Sequence, residues 1–175
     1  MSAAPAVLDE RTFRDLAGRF ATGVVVITAE AAQEPGGCAA MTANSFTSVC
    51  LDPPTVLVCV QSESRTARAI GESRRFAVSV LRRGQEELAN VFARRGGARA
   101  GLERTAWSGG VPVVLDAMCW FVCRADAFQR AGDHEIVLGT VEHARAGAGH
   151  PLIFYRGSYD ELAGRTKDAE WCWYS

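Results

Sequence analysis

The chain has 175 residues, 22% of them charged, and a formal net charge of −1 at pH 7. This balance gives no electrostatic reason to expect nucleic acid or an anionic membrane as a partner. No apolar run reaches the roughly 18 residues that a membrane-spanning helix needs, and the N-terminus lacks the basic start and apolar core of a secretion signal. We therefore expect a single cytoplasmic domain over residues 1–175.

Hydrophobic periodicity separates short amphipathic helices from apolar strands. Phe13, Leu16 and Phe20 recur at helical spacing, whereas the continuous β-branched run at 24–28 is typical of a buried strand. In chain order, the predicted elements are a helix at 9–21, strands at 24–28, 38–42 and 55–60, a helix at 66–73, a strand at 76–81, a helix at 85–93, and strands at 118–129, 136–145 and 152–155.

Many strands, few short helices and hairpin turns favour a closed antiparallel barrel over a doubly wound sheet. The glycine-rich stretch at 96–101 does not match the GxGxxG fingerprint and follows a helix rather than a strand. Any nicotinamide nucleotide is therefore expected to bind in another way. The basic, glycine-rich segment 94–101 is predicted to be a surface loop.

The sequence contains none of the common motifs of hydrolytic or metal-dependent catalysis. None of its six cysteines forms a CxxC pair, and no histidine stands at zinc-ligand spacing beside them, so we expect buried thiols and no metal. HExxH, Gly-x-Ser-x-Gly and P-loop motifs are also absent.

A run of small polar residues at 42–48 is the first candidate site. It follows a predicted strand and ends before a double proline at 53–54. Few bulky side chains shield its backbone, so its N–H and C=O groups are able to approach a planar polar ligand closely. Thr, Asn and Ser are also common in ordinary loops, and a plain polar turn remains the alternative.

The second candidate, Gln61 to Thr66, lies between a buried strand and a helix. Unpaired N–H groups at a helix N-terminus are able to receive a phosphate, and Arg65 and Arg68 would neutralise its charge. The structural alternative is that Ser64 simply caps the helix.

The third candidate is His134, which follows a Gly-Asp turn in the last predicted hairpin. A histidine at this point is able to donate to an amide carbonyl or a pyrophosphate, and it titrates near neutral pH. The alternative is a solvent-facing histidine without a ligand.

Taken in chain order, several segments resemble the short-chain flavin reductases that supply reduced flavin to two-component monooxygenases. The resemblance rests on Phe20–Thr28, Met41–Pro54, Phe76–Leu81 with Gln85, Gly132–His134 and Tyr155–Tyr159. It covers about 13–162 and leaves 163–175 as a tail outside the matched region.

The resemblance implies a six-stranded antiparallel split β-barrel with Greek-key connections and a few short helices. It also implies a homodimer, FMN or FAD as flavin, and NADH or NADPH as hydride donor. Carried over by position, the isoalloxazine would be held by Thr42, Ala43, Asn44, Ser45 and Ser48. The ribityl chain and phosphate would be lined by Gln61, Ser62, Ser64, Arg65 and Thr66, with Phe92 beside the flavin.

His134 would contact the nicotinamide nucleotide, and Tyr159 would shape the same pocket. The predicted function is hydride transfer from NAD(P)H to flavin, with reduced flavin passed to a partner flavin-dependent monooxygenase. Two alternatives are a non-enzymatic FMN-binding or sensing protein on the same barrel and an oxidase that retains its flavin.

Overall fold

The computed structural model describes residues 8–94 and 98–162, and it is built mainly from β-strands. The helices are α1 (Glu10–Ala17), α2 (Arg65–Ser73), α3 (Glu86–Ala93) and α4 (Ala98–Gly101), with 3-10 turns at Pro35–Gly37 and Leu102–Arg104. The strands are β1 (Thr22–Gly23), β2 (Val25–Glu30), β3 (Cys38–Ala43), β4 (Thr47–Leu51), β5 (Pro54–Gln61), β6 (Arg75–Val80), β7 (Thr105–Ser108), β8 (Val111–Val114), β9 (Cys119–Ala131), β10 (His134–Ala146), β11 (Ile153–Tyr155) and β12 (Ser158–Asp160).

The main sheet has seven strands in the order β3-β2-β6-β9-β10-β5-β4, and every neighbouring pair is antiparallel. Two small sheets, β1-β11-β12 and β7-β8, accompany it. The prediction of a mainly β fold with few helices is confirmed. The strand count differs, because the main sheet has seven strands rather than six, and it does not close into a ring over the described residues.

The short connection between β3 and β4 shows how this open sheet still curls. These strands lie at opposite edges of the sheet but are separated by residues 44–46 alone. Four residue steps span at most about 14 Å. The two edges are therefore held near each other, and the seam of the curled sheet lies at the predicted polar loop.

Part of that polar segment is a strand. Thr47–Leu51 pairs with β5, although the Thr-Ser sequence resembles a loop in composition. Apolar alternation is weak there because four of the five residues are exposed. The short strands β1, β7, β8 and β12 were likewise not predicted from the sequence.

The core forms on both faces of β2. Val25 and Ile27 join a cluster with side chains of β5, β6 and α2, while Val26 packs with Leu88 and Phe92 of α3 in a second cluster. A strand that is buried on both faces has a continuous run of apolar residues in its sequence. The apolar run at 24–28 predicted a buried strand for this reason.

The helices agree with the sequence-based prediction to within one residue except at two places: α1 ends at Ala17 rather than at residue 21, and the predicted loop at 94–101 contains a helix. α1 begins after Asp9, whose carboxylate accepts a hydrogen bond from Thr12 N at 2.7 Å, but Phe13 and Leu16 are 59% and 54% exposed. The predicted surface loop at 94–101 includes α4, so that expectation is wrong for 98–101, and residues 95–97 lie outside the described part. The tail at 163–175 is also outside it.

The expectation of buried cysteines is confirmed for two of the five described cysteines, whereas Cys50, Cys59 and Cys119 are half-buried. Cys38 and Cys123 are 1% and 0% exposed. Burial raises the pKa of the Cys38 thiol to about 11 and that of Cys123 to about 12. Both side chains are therefore neutral and unreactive at physiological pH.

Candidate functional site

A cleft of about 540 Å³ lies between β3, the start of α2 and the end of α3. We call it the α2–α3 cleft. It is lined by Ala40, Met41, Gln61, Glu63, Ser64, Arg65, Thr66, Phe92, Ala93 and Arg94. Four of the five predicted phosphate-side residues therefore share one concavity with Phe92, whereas Ser62 lines a neighbouring concavity of about 430 Å³ that also includes Glu63 and Arg68.

A smaller apolar pocket of about 200 Å³ adjoins this cleft. We call it the Tyr159 pocket. It is lined by Val24, Thr42, Ala43, Asn44, Ala93, Phe154 and Tyr159. Ala93 lines both, so the two concavities form one groove. The structure thus brings three of the five predicted ring-binding residues to one end and four of the five predicted phosphate-side residues to the other.

Two hydroxyls at the seam of the sheet are already used by the protein. Thr42 Oγ1 donates to the carbonyl of Ala89 in α3 at 2.6 Å. Ser45 Oγ donates to the carbonyl of Cys59 and accepts from its N–H, both at 3.0 Å. These hydroxyls fix the seam against α3 and β5, which leaves backbone groups as the means of contact with a ligand.

Of the other three predicted ring-binding residues, Ala43 and Asn44 line the Tyr159 pocket, whereas Ser48 does not. Asn44 is exposed at the rim of the Tyr159 pocket. Ser48 lies in β4 opposite Val56, one residue before a register shift in the β4–β5 pairing. Ser48 is not among the residues that line the groove.

The start of α2 has the features of an anion site. Ser64 is the N-cap, and its hydroxyl accepts from Ala67 N at 3.0 Å, which confirms the capping interpretation. Ser62 Oγ is buried and has no hydrogen-bond partner among the described residues. Because a buried hydroxyl without a partner is costly, this orphan atom is consistent with a ligand that bonds to it.

The charge at this end comes from Arg65, the first residue of α2. Its guanidinium lies 2.7 Å from Glu34 Oε2, contributed by the connection between β2 and β3. In the lining of the cleft, Arg94 adds a positive charge and Glu63 adds a negative charge. Thr66 is 2% exposed, so its side chain forms part of the wall rather than a projecting ligand group.

His134 opens β10 directly opposite Gln61 of β5. Its Nδ1 lies 2.7 Å from Asp133 Oδ1, and this hydrogen bond is the main reason that the pKa of Asp133 is below its usual value. His134 is not among the lining residues of the groove. Side chains directly opposite each other in a sheet share a face, so His134 projects on the same side as Gln61.

Phe92 and Tyr159 border the groove in different ways. Phe92 is only 2% exposed, and a Cβ placed on Gly101 would lie 2.3 Å from its ring. Its ring is therefore packed under α4 and shapes the cleft mainly as part of the wall. Tyr159 donates from its hydroxyl to Asn90 Oδ1 at 3.2 Å and packs edge-on against Phe154.

Sequence reasoning assigned no role at this site to Met41, Glu63, Asn90 or Glu34. The first two lie inside or beside predicted motifs, and their neighbours could have pointed to them. Asn90 and Glu34 reach the groove only through folding, from α3 and from the β2–β3 connection. No local pattern in the sequence could have found them.

A separate concavity of about 510 Å³ lies elsewhere on the molecule. Arg82, Trp120 and Arg145 are among its lining residues. It contains none of the predicted site residues and shares no lining residue with the groove.

Comparison with known proteins identifies relatives over nearly the whole chain. A protein of Rhizobium meliloti (strain 1021) named a probable flavin reductase is 41% identical over 167 residues, or 93% of this chain, which spans 53% of that relative's length. The reductase component of a 4-nitrophenol 4-monooxygenase/4-nitrocatechol 2-monooxygenase from Rhodococcus opacus is 34% identical over 87% of this chain and 80% of its own.

Solved structures agree with the sequence relatives. The Streptomyces globisporus C-1027 NADH:FAD oxidoreductase SgcE6, in complex with NAD and FAD fragments, superimposes with a TM-score of 0.80 at 33% identity. The match covers 95% of this chain and all of that one. The model of the flavin reductase like domain matches residues 17–163, and the chain therefore belongs to the flavin reductase like domain family.

Proposed function

We propose that this chain is an NAD(P)H-dependent flavin reductase. It takes FMN or FAD as flavin and NADH or NADPH as reductant, and it supplies reduced flavin to a flavin-dependent monooxygenase, acting in the cytoplasm as a homodimer. Family membership supports the activity. The names of the Rhodococcus opacus reductase component and the Streptomyces globisporus NADH:FAD oxidoreductase support the partner and the nucleotide pair.

The observation that carries the proposal is the single groove that joins the seam of the sheet to the start of α2. At one end, residues 42–44 offer backbone and small side chains beside an apolar wall of Val24 and Phe154. At the other end, Arg65 and the N-terminus of α2 line the cleft. A ligand with a planar polar ring and a phosphate matches both ends, so the residues present fit a flavin.

In this proposal, the ring end is formed by Thr42, Ala43, Asn44, Ser45 and Ser48, largely through backbone groups, because the hydroxyls of Thr42 and Ser45 are engaged. The ribityl and phosphate end is assigned to Gln61, Ser62, Ser64, Arg65 and Thr66, all of which except Ser62 line the cleft, with Phe92 as part of the wall. N–H groups in the first turn of α2 have no intrahelical acceptor and are suited to an anion.

The bound flavin supplies the ring that accepts a hydride from NAD(P)H, so the protein needs no nucleophile of its own. Its contribution is to hold the two partners together and aligned, which is a proximity effect. His134 and Tyr159 are assigned to the nicotinamide side. Asp133 holds the His134 ring through Nδ1, which leaves Nε2 as the outward-facing nitrogen.

Exposed apolar side chains support the proposed homodimer. Val49 and Leu51 on the edge strand β4 are 46% and 62% exposed, in addition to the exposed residues of α1. Large apolar side chains grouped on one edge are typical of an interface between subunits. Light scattering on the purified full-length protein should give twice the mass of one chain.

The activity is tested by mixing purified protein with NADH or NADPH and with FMN or FAD, and following the nicotinamide absorbance. We expect flavin-dependent oxidation with at least one of the four pairs. A protein that binds FMN but leaves it oxidised after nucleotide addition would instead be a carrier or sensor. Absence of oxidation with all four pairs overturns the proposed function.

His134→Ala tests the assignment of the histidine. We expect the KM for the nicotinamide nucleotide to rise about fivefold, as for the loss of one hydrogen bond of roughly 1 kcal/mol, with little change in the KM for flavin. His150→Ala, which alters a histidine outside the groove lining, is the control. Equal increases in both KM values would show that the assignment is wrong.

A further inference from the structure

The arginine assigned to the phosphate end is not a free charge. Arg65 Nη1 lies 2.7 Å from Glu34 Oε2, although 31 residues separate the two in sequence. The Arg65 side chain is 45% exposed and that of Glu34 is 22% exposed, so both are partly in contact with water. An anion that binds at Arg65 must therefore compete with a carboxylate already in place.

Glu34 is held firmly by the backbone around it. Its N–H donates to the Ala31 carbonyl at 2.9 Å, and its own carbonyl accepts from Gly37 N at 2.9 Å. Ala31 N in turn donates to the Gly37 carbonyl at 2.8 Å. A Cβ on Gly36 would lie 2.1 Å from Leu102 Cδ1, so the connection is also packed tightly against a neighbouring segment. The carboxylate is thus presented from a fixed loop.

The charges around the Arg65–Glu34 pair affect how strongly this end of the cleft attracts a phosphate. Among the described residues, Arg65 and Arg94 are the two arginines that line the α2–α3 cleft, and Glu63 is an acidic residue in the same lining. With Glu34 on Arg65, the two positive charges at this end are matched by two negative ones. A phosphate gains less from Arg65 than from an unpaired guanidinium, because the carboxylate repels it and occupies one of its donors.

We propose that Glu34 acts through Arg65 to weaken phosphate binding, so that flavin is held reversibly and is able to leave after reduction. This inference rests on the proposed function, since it concerns the same phosphate end. It assigns to Glu34 a control over affinity rather than a contact with the reacting rings.

The test measures dissociation constants of FMN and riboflavin, which differ only by the phosphate, by fluorescence titration of the full chain. Glu34→Gln should tighten FMN binding about threefold to tenfold at low salt, in the range of a partly exposed charge interaction, and leave riboflavin unchanged. Glu30→Gln removes a carboxylate from the end of β2, on the same connection, that makes no ion pair in the described chain, and it should change neither constant.

Arg65→Gln should weaken FMN binding, and the gain from Glu34→Gln should be smaller in that background than in the wild type, because the carboxylate acts mainly through the arginine. The gain from Glu34→Gln should also shrink as salt is raised, which a purely structural role would not produce. If wild-type protein binds FMN and Glu34→Gln does not tighten it, the inference is overturned and the proposed function stands. If the wild type binds none of FMN, riboflavin and FAD, both fail; if it binds FAD alone, the same expectations apply to titrations with FAD.

Discussion

The seam of the sheet and the start of α2 use their hydroxyl groups in opposite ways. At the seam of the sheet, Thr42 and Ser45 direct their side chains into the protein, to Ala89 and Cys59. At the start of α2, Ser62 Oγ is buried without a partner in the described residues, and Arg65 is balanced by Glu34. In the first region, the hydroxyls of Thr42 and Ser45 are engaged in hydrogen bonds within the protein. In the second region, the hydroxyl of Ser62 has no such bond among the described residues.

This difference separates stability from recognition. A hydroxyl that satisfies buried backbone groups stabilises the fold, and its loss should be seen in unfolding measurements. A hydroxyl without a partner contributes nothing to folding, and its loss should be seen in ligand affinity. The four predictions below test that separation, beginning with the largest expected effect.

Ser62→Ala should weaken FMN binding about tenfold to hundredfold, which is the range for a hydrogen bond to a charged group. The free energy of unfolding should not fall, because no protein hydrogen bond is lost. Flavin fluorescence titration and urea denaturation measure the two quantities. Ser73→Ala is the matched control, since its hydroxyl bonds to Ala69 and Arg75, and it should lose stability while keeping affinity.

Ser45→Ala should lower the free energy of unfolding by about 1–3 kcal/mol, because the N–H and the carbonyl of Cys59 both lose a partner. Urea denaturation measures the change. Asn44→Ala, one residue away and exposed, should leave stability within about 0.5 kcal/mol of the wild type. If the two variants were equally stable, the hydrogen bonds of Ser45 would not stabilise the fold as described above.

Thr42→Val keeps the shape of the side chain and removes its hydrogen bond to Ala89. We expect a loss of roughly 1 kcal/mol of unfolding free energy, with α3 less firmly attached to β3. Amide hydrogen exchange along α3 measures this loosening. Thr47→Val, on an exposed strand position, serves as the control and should leave exchange in α3 unchanged.

Asp133→Asn should have the smallest effect. The hydrogen bond to His134 holds the pKa of Asp133 below its usual value, so its contribution to stability is complete above the ordinary pKa of an aspartate and is lost as the pH falls through the lowered pKa. A small difference in Tm between wild type and variant at pH 6 should therefore disappear in acid. A difference that grew on acidification would contradict this sign.

Much of the fold follows from local sequence patterns. The apolar run of β2, the helical spacing in α2 and α3, and the long last hairpin were all predicted, because their periodicity reflects which faces are buried. β4 was missed because its Thr and Ser residues face solvent, so that no apolar alternation marks it as a strand. α4 was missed because glycine and arginine in 94–101 are typical of a loop.

The site was predicted less completely than the fold. The ordered motifs located Thr42–Ser45 and Gln61–Thr66, and the structure joins them into one groove through Ala93. The sequence did not indicate that the hydroxyls of Thr42 and Ser45 are engaged within the protein. Their partners, Ala89 and Cys59, lie 47 and 14 residues away.

The sequence by itself determined the mainly β class, the positions of the main helices and strands, and the family, because these depend on local patterns and on ordered motifs. Tertiary structure alone decided that the sheet has seven strands, that Glu34 faces Arg65, and which hydroxyls remain available to a ligand. The physical reason is that charge pairing and hydrogen-bond satisfaction depend on distances between atoms far apart in the chain, and only folding sets those distances.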